Sequence, residues 1–361
     1  MPFRDVIGHR TLLSLLARSI ARGSLPPSLI FAGPDGVGKR LTALAVAETL
    51  NCLSVRLKPD ATNEVRRKPD ATTSDEVSGF SRTSDDLPID ACGTCAACTR
   101  IARGVHPDVL LIEPGDSGSI KIDPIRDAID RSTYRPFEGR RRVVIVDEAD
   151  ALVPQAQNAL LKTLEEPPSA SIFILVTARP DSLLPTVLSR CPRLRFRPLE
   201  PAEVAAALIT QGRPEREARA VAAAADGSIA RALEATAGDL VESREVAARV
   251  LLQAATTTDP RRRLESAKDL LPKTSTTAAD REQLARYLRA MASLVRDVAL
   301  LGAGADAAAL ANPDAEPELS RLSAFRGQRA IDVFAAIDRA LLALQRNVGI
   351  KTIVDWVVVN V

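Results

Sequence analysis

Five short apolar runs divide the first part of the chain: 28–31, 109–112, 143–146, 172–176 and 194–196. The first four are too short for a helix and lack the alternation of a half-exposed strand, so they read as buried parallel strands, and Leu194-Arg-Phe196 reads as a fifth strand. Helical periods lie between them. Leu12, Leu13, Leu15, Leu16 and Ile20 share a stripe that ends at Gly23, and Leu44, Ala45, Ala47 and Leu50 do so over 41–50. Further helices are expected over 120–131 and 151–165, the latter stopped by Glu165-Glu166-Pro167-Pro168. Strand and helix in alternation predict an α/β fold, an open parallel sheet that binds its ligand at the carboxyl ends of the strands. Beyond Pro198 the pattern is wholly helical: three short alanine-rich segments (201–211, 214–225, 228–236), then longer ones at 241–256, 260–271, 278–302 and 328–346. The β-branched stretch 350–361 has no partner strand nearby and is expected to be a final helix. The expected domains are 1–198, a small helical domain over 199–240, and an all-α domain over 241–361.

One stretch breaks the pattern. Over 53–91 Ser, Thr, Asp and Lys dominate, and Val55-Arg-Leu-Lys-Pro-Asp-Ala-Thr62 is echoed by Val65-Arg-Arg-Lys-Pro-Asp-Ala-Thr72. Such a segment buries too little apolar surface to offset ordering and is expected to be a disordered insertion. Charge adds little: 48 Lys and Arg face 46 Asp and Glu, so no global field commits the chain to nucleic acid. Aromatic residues, at 3%, are too scarce for a base-stacking surface. The polar start Met1-Pro2-Phe3-Arg4-Asp5 and the lack of a membrane-length apolar run suggest a cytoplasmic protein with reduced cysteines.

Candidate chemistry concentrates in three places. The first run leads into Gly33-Pro34-Asp35-Gly36-Val37-Gly38-Lys39-Arg40, which has the spacing of a phosphate-binding loop. Glycines let successive backbone N–H groups turn inward around an anion, the helix start adds partial positive charge, and Lys39 reaches the outer phosphates. The next residue should be Ser or Thr, whose hydroxyl binds Mg²⁺; it is Arg40, which has no lone pair to offer. The third run ends in Asp147-Glu148. Alone that would be an ordinary surface turn, but beside a phosphate loop Asp147 would hold Mg²⁺ and Glu148 would orient or deprotonate water. Thr177 ends the fourth run at the same edge. Finally, Cys92, Cys95 and Cys98 follow the insertion, and Cys52 precedes it. Four thiolates make a closed, structural Zn²⁺ site; redox-active or incidental cysteines are the alternatives. Cys191 stands apart, and His106-Pro107-Asp108 reads as a turn into the second strand.

The loop, the cysteines, Gly104-Val-His-Pro-Asp108, Ser119-Ile-Lys-Ile-Asp-Pro-Ile-Arg126, Asn158-Ala-Leu-Leu-Lys-Thr-Leu-Glu-Glu-Pro-Pro168 and Ser189-Arg190-Cys191 together resemble the bacterial DNA polymerase III clamp loaders, a family of AAA+ ATPases. The resemblance covers residues 5–200; beyond, only the helical layout and a weak match near Arg346-Asn347 remain. It implies an AAA+ domain, a lid and a collar domain, in an open ring with motor (gamma/tau) and delta subunits that loads a sliding clamp onto primer-template DNA. It also implies ATP or ADP with Mg²⁺ at the loop, Thr177 as a sensor, and Arg190 as an arginine finger acting in trans. Two departures favour the non-motor, delta-prime branch over the motor branch. Arg40 replaces the metal-binding hydroxyl, and Gly227-Ser228-Ile229-Ala230 lacks the sensing arginine of the motor's Gly-Ser-x-Arg. Lys39, Asp147 and Glu148 are retained.

Overall fold

The computed structural model describes residues 1–55, 87–115, 117–225, 227–234, 237–257, 259–271, 277–305, 310, 312, 315–345 and 348–361. The chain divides after Leu199 into two compact units.

In the first unit five parallel strands form one sheet: β1 (Ser28–Ala32), β2 (Val109–Ile112), β3 (Arg142–Val146), β4 (Ser171–Thr177) and β5 (Arg193–Arg195). Their order is β2-β3-β4-β1-β5, an α/β arrangement of AAA+ type in which β4 separates β1 from β3. Every residue of β1, β3 and β4 is buried, which is why these strands are apolar apart from Ser28, Arg142, Ser171 and Thr177 at their ends. Successive side chains feed opposite faces. Leu29, Phe31, Val143, Ile145, Ile172 and Ile174 join one core with α1 (Arg10–Arg22) and α2 (Lys39–Asn51). Ile30, Val144, Val146, Phe173 and Leu175 join the other. That second core also takes in α4 (Ile122–Thr133), α5 (Pro154–Glu165) and the short α6 (Pro185–Leu188). The remaining helix, α3 (Ala96–Ala102), follows the cysteines.

The expectation of disorder over 53–91 falls mainly on 56–86, which lie outside the described residues. At its margins it needs correction. Val55 and Ala91 are buried, and Ile89 packs beside them. The Asp90 carboxylate accepts from the backbone N–H of Phe3 at 2.7 Å and from the Arg4 guanidinium at 3.1 Å. These anchors are isolated apolar or acidic residues with no period, so composition could not separate them from the insertion.

A buried carboxylate braces the turn before β3. Asp108 accepts backbone N–H groups from Phe137 (2.7 Å), Glu138 (2.9 Å) and Gly139 (2.8 Å), and the Arg142 guanidinium donates to it at 2.9 Å. Burial alone would raise this carboxyl, but those donors outweigh it and hold it below the ordinary carboxylate range. Asp108→Ala strands three N–H groups and a buried cation, so it should cost ~3–5 kcal/mol in chemical denaturation of the full chain. The contribution of Asp108 is complete above the unfolded-state value and is lost as pH falls through the lower folded-state value. A loss under ~1 kcal/mol would show that the turn is held elsewhere.

The second unit is helical. It comprises α7 (Pro201–Thr210), α8 (Glu215–Ala224), α9 (Ile229–Glu234), α10 (Ala237–Thr256), α11 (Pro260–Leu270), α12 (Thr277–Gly302), α13 (Glu316–Arg321), α14 (Gln328–Gln345) and α15 (Ile350–Asn360). Helices α10 to α15 share one core, while α7, α8 and α9 pack largely on one another. Because α10 begins at Ala237, the expected boundary at 240 falls inside a helix. The terminal β-branched stretch is a helix because Ile353, Val354, Val357 and Val358 fall on one buried face. Arg346 and Asn347 lie outside the described residues.

Candidate functional site

The parallel sheet gathers the candidate residues at its carboxyl edge. Ala32 pairs with Thr177, and Ile112 with Val146, so Gly33, Thr177, Glu113 and Asp147 are brought to one margin. Gly33 leaves β1 against the backbone of β5's end; a Cβ there would lie 2.2 Å from the Phe196 carbonyl oxygen, so only glycine fits. Gly36 and Gly38 are left-handed, at φ 74° and 98°, a conformation that glycine adopts without strain. Gly38 caps α2, whose first residue is Lys39. The loop is therefore a concave turn on a helix N-terminus, a shape suited to phosphate.

The lysine is buried, and its Nζ donates to the carbonyl oxygens of Gly33 and Pro34, each at 2.6 Å, with Asp35 at 3.5 Å. Burial lowers its pKa, against the opposing charges of Asp35, Asp147 and Asp150. His9 supports the loop from behind. It adopts a left-handed backbone (φ 53°), places Nε2 2.9 Å from the Val37 carbonyl, and sets its ring edge-on to Phe196.

Arg40 turns toward the acidic strand ends. Its Nη1 donates to Asp147 Oδ2 at 3.3 Å and forms a close ion pair with Glu113. Burial raises the Asp147 carboxyl, and Arg40 opposes that rise. Glu148, exposed and left-handed at φ 48°, has its carboxyl raised by burial and by the like charges of Asp147, Asp150, Asp35 and Glu113. The Thr177 hydroxyl is fully buried and donates to Asp150 Oδ1 at 2.9 Å, while Asp150 Oδ2 accepts from Arg179 at 3.0 and 2.7 Å. Burial would raise Asp150, but Arg179 and Thr177 outweigh it and lower the carboxyl.

Arg190 follows α6. Its Nε donates to Glu165 Oε1 at 2.6 Å, Nη2 makes a second, close contact with the same carboxylate, and Nη1 donates to the Thr186 carbonyl at 2.8 Å. The guanidinium is thus aimed by the last residue of α5.

The cysteines converge independently of that edge. Sulfurs of Cys52, Cys92, Cys95 and Cys98 all lie within 4.8 Å of one another. Four sulfurs at about 2.3 Å from a tetrahedral ion stand about 3.8 Å apart, so the donor set fits a zinc-type ion. Backbone N–H groups of Thr94 and Cys95 point at the Cys92 sulfur (3.4 and 3.2 Å) and lower that thiol to about 5, whereas burial pushes Cys98 up. Among the described residues, neither Cys191 nor His106 joins this group. The buried His106 instead accepts the Asp108 N–H at 3.1 Å, inside the expected turn.

Sequence reasoning overlooked Glu113, Arg179, Glu165 and His9. Glu113 directly follows β2, so it could have been found had the β2–β3 pairing been known. The others carry no local motif.

The chain resembles known replication proteins. Residues 79–200 match the family model described as DNA polymerase III, delta subunit. DNA polymerase III subunit tau of Escherichia coli is 32% identical over 240 residues, covering 65% of this chain and 32% of that protein. DNA polymerase III subunit delta′ of Bacillus subtilis is 31% identical over 234 residues, covering 64% of this chain and 61% of that protein. The chain thus spans about a third of the tau relative and less than two thirds of the delta′ relative. A solved gamma-subunit-related protein of Thermotoga maritima aligns over 97% of each chain at 19% identity and a TM-score of 0.40, too low to add to the fold seen in the strand order. The stretch matched by the family model holds Cys92 to Cys98, Asp147, Thr177 and Ser189-Arg190-Cys191, so these candidate residues lie where this chain is similar to DNA polymerase III subunits.

Proposed function

We propose that this chain is a non-motor, delta-prime-type subunit of a DNA polymerase III clamp loader, which supplies Arg190 in trans to a neighbouring motor site and turns over little ATP itself. One observation carries the reading: Arg40 stands in the phosphate loop and is bonded to Glu113 and to Asp147, the carboxylate a motor would need for its metal. The loop keeps the shape for a nucleotide without the means to hydrolyse it.

The other parts of the reading have separate support. Arg190 follows a short helix and is oriented by Glu165, which suits a guanidinium offered to a partner's phosphoryl group. Zinc would be held by the four cysteines and would serve the fold alone, since no coordination position is left open. Residues 199–240 would act as a lid and residues 241–361 as the collar. Ile331, Phe334 and Leu342 on α14, and Trp356 and Val359 on α15, are exposed apolar residues of the kind that subunit contacts cover. Motor and delta subunits would be the direct partners, with the sliding clamp and primer-template DNA reached through the complex.

The motor itself is the second reading, favoured by the retained Lys39, Asp147 and Glu148. ATP turnover of the isolated chain separates the two. Negligible turnover is expected, and Arg40→Thr alone should not create a motor, because Ala230 stands at the sensing position and no neighbour offers a finger. Robust turnover by the unmodified chain, abolished by Lys39→Ala, would establish the motor reading.

A further inference from the structure

The fold family implies Mg²⁺ beside the phosphate loop, and the residues present do not fit it. Mg²⁺ demands six oxygen ligands near 2.0–2.1 Å in octahedral geometry. At its place in this chain is a guanidinium, 3.3 Å from Asp147 Oδ2 and in close ion pairing with Glu113. An ion on Asp147 would have to displace Arg40, and Arg40 cannot become a ligand, because its nitrogens only donate.

We propose that Arg40 is a resident cation of the loop, and that this chain binds a nucleoside di- or triphosphate without any divalent metal. The electrostatics explain why such a cation is present. Asp35, Glu113, Asp147, Glu148 and Asp150 crowd one edge, a field that repels a polyphosphate unless a positive charge offsets it. In a metal-using loop that charge arrives with the nucleotide. Here it is covalently attached at the first turn of α2, beside Lys39 and the helix N-terminus. Lys39 already donates to two loop carbonyls, and phosphate oxygens would replace those acceptors without a change of side-chain position. A guanidinium does not polarise or activate water as a metal does, so the same substitution that removes the metal requirement also removes hydrolysis. The inference rests on the nucleotide-binding reading of the loop and is independent of the finger assigned to Arg190.

The test is fluorescence titration of the full, zinc-loaded chain with mant-ADP and mant-ATP, in excess Mg²⁺ and in magnesium-free buffer. Magnesium-free buffer is used in place of a chelator, so that the cysteine site keeps its metal. The unmodified chain should bind both nucleotides with affinities that differ by no more than about twofold between the two conditions. Arg40→Thr should bind weakly without metal and tighten by roughly tenfold or more when Mg²⁺ is added, since the hydroxyl restores a ligand and frees Asp147. Arg40 is 44% exposed at its side chain, so the variant should fold normally. A tenfold Mg²⁺ dependence in the unmodified chain would overturn the proposal. Absence of nucleotide binding in both conditions would overturn it too, and would leave the clamp-loader reading standing on its own reconstitution test.

Discussion

Arg190→Ala should silence one motor site of the assembled complex by about 10³–10⁵, the usual worth of an arginine finger. The chain's own geometry makes that size reasonable. In the free subunit the guanidinium is bound to Glu165, a pair whose side chains are 32% and 47% exposed. Such a surface pair is worth at most ~1 kcal/mol, so little is lost when Arg190 exchanges the carboxylate for a phosphoryl group. A factor of 10³–10⁵ corresponds to about 4–7 kcal/mol of transition-state stabilisation, which decides the exchange. Removing the side chain beyond Cβ should leave the fold intact, because Arg190 braces no buried group. Assembly should persist as well, since the proposed collar lies in the second unit. Total ATPase falls by less than the single-site factor, because the remaining motor sites keep their own fingers. Clamp loading, which needs coordinated sites, should fall further. Arg190→Lys should rescue poorly: an ammonium has no planar fork. Steady-state ATPase and clamp loading on gel-filtered complexes measure this. Wild-type rates from an intact Arg190→Ala complex would remove the finger assignment.

Zinc should be present at one ion per chain, and its removal should be the largest single loss of stability available. Apparent binding energies of structural zinc reach about 10–16 kcal/mol in small metal-dependent modules. Besides the metal, the cysteine module is anchored through Ile101 and Ile89 in the sheet core and through Asp90 on Phe3 and Arg4. Among the described residues its apolar cluster adds Val55, Ala91 and the partly buried Ile89 to the four cysteines. Chelation should therefore unfold the segment around Cys52, Val55 and residues 87–102, seen as loss of amide protection there. Cys52→Ser should lower zinc content and have the same local effect. The phosphate loop should be spared, because α2 separates Cys52 from Lys39 by 13 residues, about 20 Å of helix. Full zinc content in Cys52→Ser would take Cys52 out of the site, and a metal-free native chain would leave four unligated thiols.

The central strands β1, β3 and β4 were legible because burial on both faces forces nearly unbroken apolar runs. The loop was legible because its glycine spacing is set by backbone conformation at Gly36 and Gly38. Three helices escaped notice: α3, α6 and α13 are too short to show a period. The margins of the insertion escaped for the same reason. What sequence could not give is adjacency. That Arg40 lacks a metal-binding lone pair follows from its identity, but that it pairs with Asp147 and Glu113 follows only from β2 lying beside β3. Likewise Thr177 could be assigned to the sheet edge, yet its hydroxyl is engaged with Asp150, held in turn by Arg179. A sensor role for Thr177 would require that hydroxyl to exchange Asp150 for a ligand.

The central claim, a subunit that promotes ATP turnover by its neighbour and not its own, is tested most directly by reconstitution. The purified chain is mixed with motor and delta subunits of the same cell, and ATPase is measured with clamp and primed DNA. Stimulated turnover should require this chain and its Arg190, and should survive Lys39→Ala in this chain while failing with the equivalent change in the motor. Stimulation that depends on Lys39 here, or that is unchanged when this chain is left out, would contradict the account.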